Sequence, residues 1–234
     1  MLICGLQKLS LLDYPEKLAA TVFTGGCNMR CPFCHNALLV TRVSESETFS
    51  EEEVLSFLKK RIGILDGVCI TGGEPLLQSD LEDFIVEIRR LNFKIKLDTN
   101  GTFPLKLSAL LDKGLIDYVA MDIKNSPEKY PLTVGLPDFD VRPVFESANI
   151  LMNSPVAYEF RTTLVREYHT FEDIEKIGRL LAGAKNYYLQ NFEDSGDLVG
   201  SGDISPVLSA FPPPDAEHCR EILSKYVENV KIRN

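Results

Sequence analysis

The chain has 234 residues, 44% of them hydrophobic, which is enough apolar side chain for one domain of barrel or sandwich size. Its net charge of -9 disfavours a basic surface for nucleic-acid phosphates, so no DNA or RNA partner is expected. The leucines near the N-terminus are interrupted by Lys8 and Asp13 too early for a signal-peptide core or a membrane span, which points to a cytoplasmic protein with no membrane partner.

Residues 1–16 read as an N-terminal extension and 17–234 as the core domain. Short apolar or β-branched runs at 19–23, 67–70, 94–97, 118–121, 156–162 and 187–189 predict six strands. Between the first two, Ser50 and Glu53 have the spacing of a capping box, opening a helix over 51–60. Helical periodicity continues over 79–91, 105–113, 141–153, 171–181 and 215–227. Gly72-Gly73 and Asn100-Gly101 are turn signals directly after strands. Alternating strands and helices require a mostly parallel α/β sheet, open or closing as a barrel, and six units fall short of the eight of a full barrel. Active sites of such folds sit at the C-terminal ends of the strands. Those ends here carry Cys27 to Cys34, Gly72-Gly73-Glu74, Asp98 to Gly101, Asp122 with Lys124, Arg161 and Gln190.

Three of the six cysteines, Cys27, Cys31 and Cys34, fall within eight residues. Thiolates bind soft metals and iron-sulfur clusters; a four-iron cube normally takes four protein sulfurs, so three would leave one iron open for chemistry. Competing readings remain at this point. A structural zinc site would lack its second ligand pair. Cys31-Pro32-Phe33-Cys34-His35 matches covalent haem attachment but leaves Cys27 unexplained. Coincidental core cysteines conflict with the glycines, Asn28, Arg30 and Pro32 around them, which describe a loop. Cys4, Cys69 and Cys219 read as small buried apolar residues. His169 and His218 lie in polar contexts and read as exposed, structural or solvated.

The segment 24–36, with Phe33 before its last cysteine, resembles the signature loop of the radical S-adenosylmethionine (SAM) superfamily. The resemblance extends through Gly72-Gly73-Glu74-Pro75, Asp98-Thr99-Asn100-Gly101 and Asp122-Ile123-Lys124 to the activating proteins of glycyl radical enzymes. Residues 5–15 and 188–192 further resemble the activating proteins of anaerobic ribonucleoside-triphosphate reductase. It implies a partial (β/α)6 barrel of the TIM type and an oxidoreductase that uses a [4Fe-4S] cluster on Cys27, Cys31 and Cys34. The cluster would reductively cleave SAM to methionine and a 5'-deoxyadenosyl radical, which abstracts a hydrogen atom.

The resemblance also assigns SAM contacts to Phe33, Asn36, Gly72, Gly73, Glu74, Asp98, Asn100, Asp122, Lys124 and Arg161. Glu74 would pair with the ammonium of SAM and Lys124 with its carboxylate. The two glycines would let the backbone approach the ligand closely. Two nearby carboxylates need compensation, which either Lys124 or a monovalent cation near Asp98, Thr99 and Asp122 would supply. Where some activating enzymes have a histidine after the sixth strand, this chain has Phe192, which cannot replace its hydrogen bond. The implied partners are a glycyl radical enzyme, foremost anaerobic ribonucleotide reductase, and reduced flavodoxin or ferredoxin as electron donor. A pyruvate formate-lyase type partner, a small-molecule substrate, or a zinc-stabilised binding module are the alternatives.

Overall fold

Period-two patterning yields a single eight-stranded sheet in a computed structural model that describes residues 1–194, 196–200 and 207–233. The strands β1 (Ile3–Ser10), β2 (Ala19–Thr24), β3 (Gly67–Gly72), β4 (Lys94–Thr99), β5 (Tyr118–Asp122), β6 (Ala157–Leu164), β7 (Asn186–Asn191) and β8 (Asn229–Arg233) lie side by side in chain order. β2 to β8 are parallel, and β1 pairs antiparallel with β2. The expected six strands are β2 to β7, and the parallel α/β architecture is as expected. β1 and β8 add one strand to each side. They are not paired with each other among the described residues, so the barrel is open there.

Both edge strands escaped the sequence reading for a physical reason. β1 has Ile3 as its one β-branched aliphatic residue and exposes Gln7, Lys8 and Leu9. β8 is five residues long, with Val230 and Ile232 alternating between polar neighbours. Neither buries enough apolar surface to stand out from a loop.

The helices are α1 (Ala37–Val40), α2 (Glu51–Lys59), α3 (Leu81–Arg90), α4 (Pro104–Asp112), α5 (Tyr130–Thr133), α6 (Arg142–Met152), α7 (Phe171–Leu180) and α8 (Pro213–Leu223). Four-residue α1 and α5 are too short to show a periodicity. At the start of α2 the Ser50 hydroxyl accepts from the Glu53 N–H at 3.2 Å, and the Glu53 carboxylate accepts from the Ser50 N–H at 2.8 Å. Thr170 and Asp173 form the same box before α7. No helix among the described residues is long and apolar enough to cross a membrane.

Alternation within each strand divides the sheet into two chemistries. Ile95 and Leu97 of β4, Val119 and Met121 of β5, Phe160 of β6, and Tyr187 and Leu189 of β7 join the apolar cluster. Ile85 and Ile88 of α3, Leu107 and Leu110 of α4, Val144 and Leu151 of α6, and Ile174 and Ile177 of α7 belong to it too. The opposite phase is polar: Lys96 and Asp98, Tyr118 and Asp122, Glu159 and Arg161, Gln190, Arg233. Charged residues on that face reach across intervening strands. Glu159 of β6 accepts two hydrogen bonds from Arg233 of β8, at 2.7 and 2.9 Å, and one from the Tyr118 hydroxyl of β5 at 2.7 Å.

That triad ties the last strand to the sheet. Removing the buried acid leaves a guanidinium without its partner, so Glu159→Leu should lower stability by about 2 kcal/mol. Combining it with Arg233→Leu should recover part of the loss; both shifts are read as midpoints of urea unfolding.

Candidate active site

Cys27, Cys31 and Cys34 follow β2 directly and line one cavity of about 300 Å³ at the C-terminal ends of the strands. The loop is shaped by its own backbone: the Cys34 N–H donates to the Cys31 carbonyl at 3.0 Å, and Arg30 donates to the carbonyls of Cys27 and Met29, each at 2.7 Å. Burial pushes the Cys31 thiol up to about 12 and raises that of Cys27. Holding thiolates there requires a positive partner.

The diglycine at the end of β3, expected to bring backbone close to the ligand, packs against the cysteine loop. Gly72 adopts φ +113, and a Cβ on Gly73 would lie 1.9 Å from the Gly26 carbonyl oxygen. The Glu74 N–H donates to that same oxygen at 2.8 Å. It is therefore the cysteine loop whose backbone approaches most closely, although both glycines also line the cavity. Asn36 reaches back to the Gly72 carbonyl at 2.9 Å, and Phe33 lies against Tyr168 with ring centres 5.8 Å apart. Both line the cavity.

Glu74, expected to meet the ammonium of SAM, lies behind the cavity wall. It is fully buried and absent from the cavity wall. Its carboxylate accepts from the Leu76 N–H at 3.0 Å, the Thr99 hydroxyl at 2.8 Å and the Asn100 N–H at 2.6 Å. Burial moves its pKa up to about 7 against the pull of those donors. Glu74 therefore fixes the loop after β3 to the loop after β4, from behind. Asn100, held this way, lines the cavity and places its amide 3.8 Å from the Cys27 sulfur and 2.9 Å from Asn28 Oδ1.

Across the cavity, charges alternate along the polar face. Lys96 pairs with Asp98; Arg161 donates to Asp98 at 3.0 Å and to Asp122 at 2.9 Å; Lys124 donates to Asp122 at 2.9 Å. Burial would raise the Asp122 carboxyl, but Arg161 and Lys124 outweigh it and hold it well below the usual carboxylate range. Asp98 is lowered in the same way, burial being outweighed by Arg161 and Lys96. Three protein cations thus serve two carboxylates; Lys96 is buried behind the lining, so within the cavity wall Arg161 and Lys124 balance Asp98 and Asp122. Of the two expected sources of compensation, Lys124 is in place on Asp122.

Lys96 was not singled out from sequence, although its position two residues before Asp98 in a strand places it on the same face. His169 also departs from expectation: it is 3% exposed, with Nε2 bonded to the Lys124 carbonyl at 2.8 Å. His218 is exposed, as expected, against the edge of Phe171.

The segment after β7 lies along the cysteine loop. The N–H groups of Val199 and Gly200 donate to the carbonyls of Cys34 at 3.0 Å and Pro32 at 2.9 Å, and Arg42 grips Asp197 at 2.6 and 2.5 Å. Phe192 is buried and stacks on His35, with ring centres 5.8 Å apart. The side chain from β7 that enters the cavity is Gln190.

Among the described residues, no three His, Cys, Asp or Glu side chains converge on a single metal-ion position. Three sulfurs around a cavity of this size fit a larger iron-sulfur cluster, and the Lys124 and Arg161 cations in the wall opposite fit the carboxylate of an amino-acid ligand.

Residues 21–181 match the Radical SAM superfamily, and the chain belongs to it. A Methanocaldococcus jannaschii protein with the provisional name glycyl-radical enzyme activating enzyme is 34% identical over 99% of this chain and 95% of its own. GTP 3',8-cyclase of Helicobacter pylori is 28% identical over 71% of this chain, which spans about half of that protein (51%). Among solved structures, a domain of pyruvate-formate lyase-activating enzyme from Bacteroides vulgatus superposes with a TM-score of 0.56 at 15% identity, over 72% of this chain and 99% of that one. The protein is a radical SAM enzyme, and that family implies a [4Fe-4S] cluster and SAM.

The contact between Gly73 and Gly26 supplies a test. Gly73→Ala should cost about 3 kcal/mol of stability, because the obstructing atom is backbone and cannot rotate away. Chemical unfolding of the apoprotein measures it.

Proposed function

We propose that this enzyme generates a glycyl radical on a partner protein, foremost anaerobic ribonucleoside-triphosphate reductase. The observation that carries the reading is the joining of three cysteines with the Lys124 ammonium and the Arg161 guanidinium in one cavity. A homologue over nearly the full length, with the provisional name of a glycyl-radical enzyme activating enzyme, supports the reaction class. Cys27, Cys31 and Cys34 hold the cluster in this reading. When bound, the cluster would supply the electron for reductive cleavage of the SAM sulfonium, with a reduced flavodoxin or ferredoxin as donor, and the resulting 5'-deoxyadenosyl radical would take a hydrogen atom from the glycine Cα.

The chain's own residues bind, orient and screen. Lys124 and Arg161 offer charge-assisted hydrogen bonds to the SAM carboxylate, while Asp98 and Asp122 hold both cations in place. Asn36, the Gly72-Gly73 backbone and Asn100 supply neutral polar contacts beside the cysteines. Glu74 and His169 act through others: Glu74 positions Asn100, and His169 holds the Lys124 backbone. Phe33 contributes apolar wall that excludes water.

The likeness to GTP 3',8-cyclase favours one second reading, the same radical chemistry on a small molecule. Electron paramagnetic resonance separates the two. Reconstituted enzyme, SAM, reductant and the reductase together should give a glycyl radical doublet; its absence while SAM is consumed would exclude the reductase as partner. Lys124→Met should weaken SAM binding about tenfold, the loss of one charge-assisted hydrogen bond, as read by equilibrium dialysis of the reconstituted protein.

A further inference from the structure

A second cavity, of about 350 Å³, adjoins the cysteine cavity and shares His35, Thr163 and Gln190 with it. Asn191, Glu193, Asp194 and Arg233 complete its lining. Thr163 and Gln190 are register partners on β6 and β7, side by side on the polar face. Among the described residues neither side chain makes a hydrogen bond, so a hydroxyl and a primary amide stand ready to donate and accept at the join of the two cavities. That pair suits the N–H and C=O groups of a peptide.

The charge at this cavity narrows the substrate further. Its one guanidinium is engaged: Arg233 gives both its forks to Glu159, at 2.7 and 2.9 Å, and lies 3.4 Å over the Tyr188 ring. Glu193 and Asp194 form no ion pair among the described residues. A nucleoside triphosphate would bring several negative charges against these two carboxylates, with no uncommitted arginine or lysine in the lining to meet them. A basic side chain would find the Glu193 carboxylate without a cation, and beside it that of Asp194, whose Oδ1 accepts from the Gly196 N–H at 2.8 Å.

We propose that the second cavity seats the substrate, and that the substrate is a peptide segment with a basic residue beside the reacting position. Thr163 and Gln190 hold its backbone, and Glu193 and Asp194 select the basic side chain. The assignment rests on the glycyl-radical reading above and names the class of segment that the site accepts.

The test uses the reconstituted enzyme with SAM, kept anaerobic, and three fluorescent peptides that differ only in lysine, glutamine or glutamate flanking a central glycine. Anisotropy at low salt should show the lysine peptide binding about tenfold more tightly than the glutamate peptide, with a difference that shrinks as salt is added. Glu193→Lys combined with Asp194→Lys should reverse the order, and Gln190→Ala should weaken all three peptides. Equal binding of the three peptides, an unchanged order in the double variant, or displacement of the lysine peptide by GTP at matched concentration would overturn the assignment. Reductive SAM cleavage by the wild type is measured separately, without peptide. Cleavage with no charge preference removes the cavity assignment alone, whereas the preference without cleavage removes the radical chemistry and leaves the site.

Discussion

Ionised groups on the inner face of a sheet are tolerated when each has a partner, and this site depends on that constraint. Lys96 is buried and Asp98, Asp122 and Arg161 are half-buried, so each would be costly without a partner. Arranged in alternation, they become a brace. Arg161 bonds carboxylates from two other strands, so the ends of β4, β5 and β6 keep fixed relative positions, and Lys96 and Lys124 close the series at either end. The same alternation sends Ile95, Leu97, Val119, Met121 and Phe160 into the apolar core, so packing and site geometry come from one strand register.

The opposite wall is built from backbone. A cysteine loop has few side chains with which to anchor itself, and this one is held by carbonyls and amides: Gly26 against Gly73 and Glu74, Cys34 against Val199, Pro32 against Gly200. Glu74 is the hinge pin of this wall, with no place in the cavity and three hydrogen bonds behind it. Phe192 and the stretch 196–200 add an outer layer, clamped by Arg42 and Asp197 and by the stack of His35 on Phe192.

Much of this was legible in the sequence because the informative patterns are local. Six strands, a capping box and a run of three cysteines need only neighbouring residues to be read. β1 and β8 were not legible, since a thinly apolar edge strand is specified by the strand it pairs with. Glu74 was legible as a functional position, but its three hydrogen bonds were not, because an acid beside two glycines looks the same whatever donors it faces. Lys96 was within reach, since its spacing from Asp98 fixes a shared face. His169 was not, because its burial arises from contact with the Lys124 backbone 45 residues away. The second cavity brings residue 35 together with residues 163, 190 and 233, a juxtaposition that no spacing rule shows.

The central claim is that the three cysteines form a redox centre working on SAM, with the charged wall opposite as its holder. Its most direct test is anaerobic reductive SAM cleavage by the reconstituted protein, followed as 5'-deoxyadenosine and compared with Cys31→Ala carrying a matched iron content. The account predicts steady formation by the wild type and none above background for the variant; no formation by a wild type with an intact cluster, or equal formation by both proteins, would contradict it.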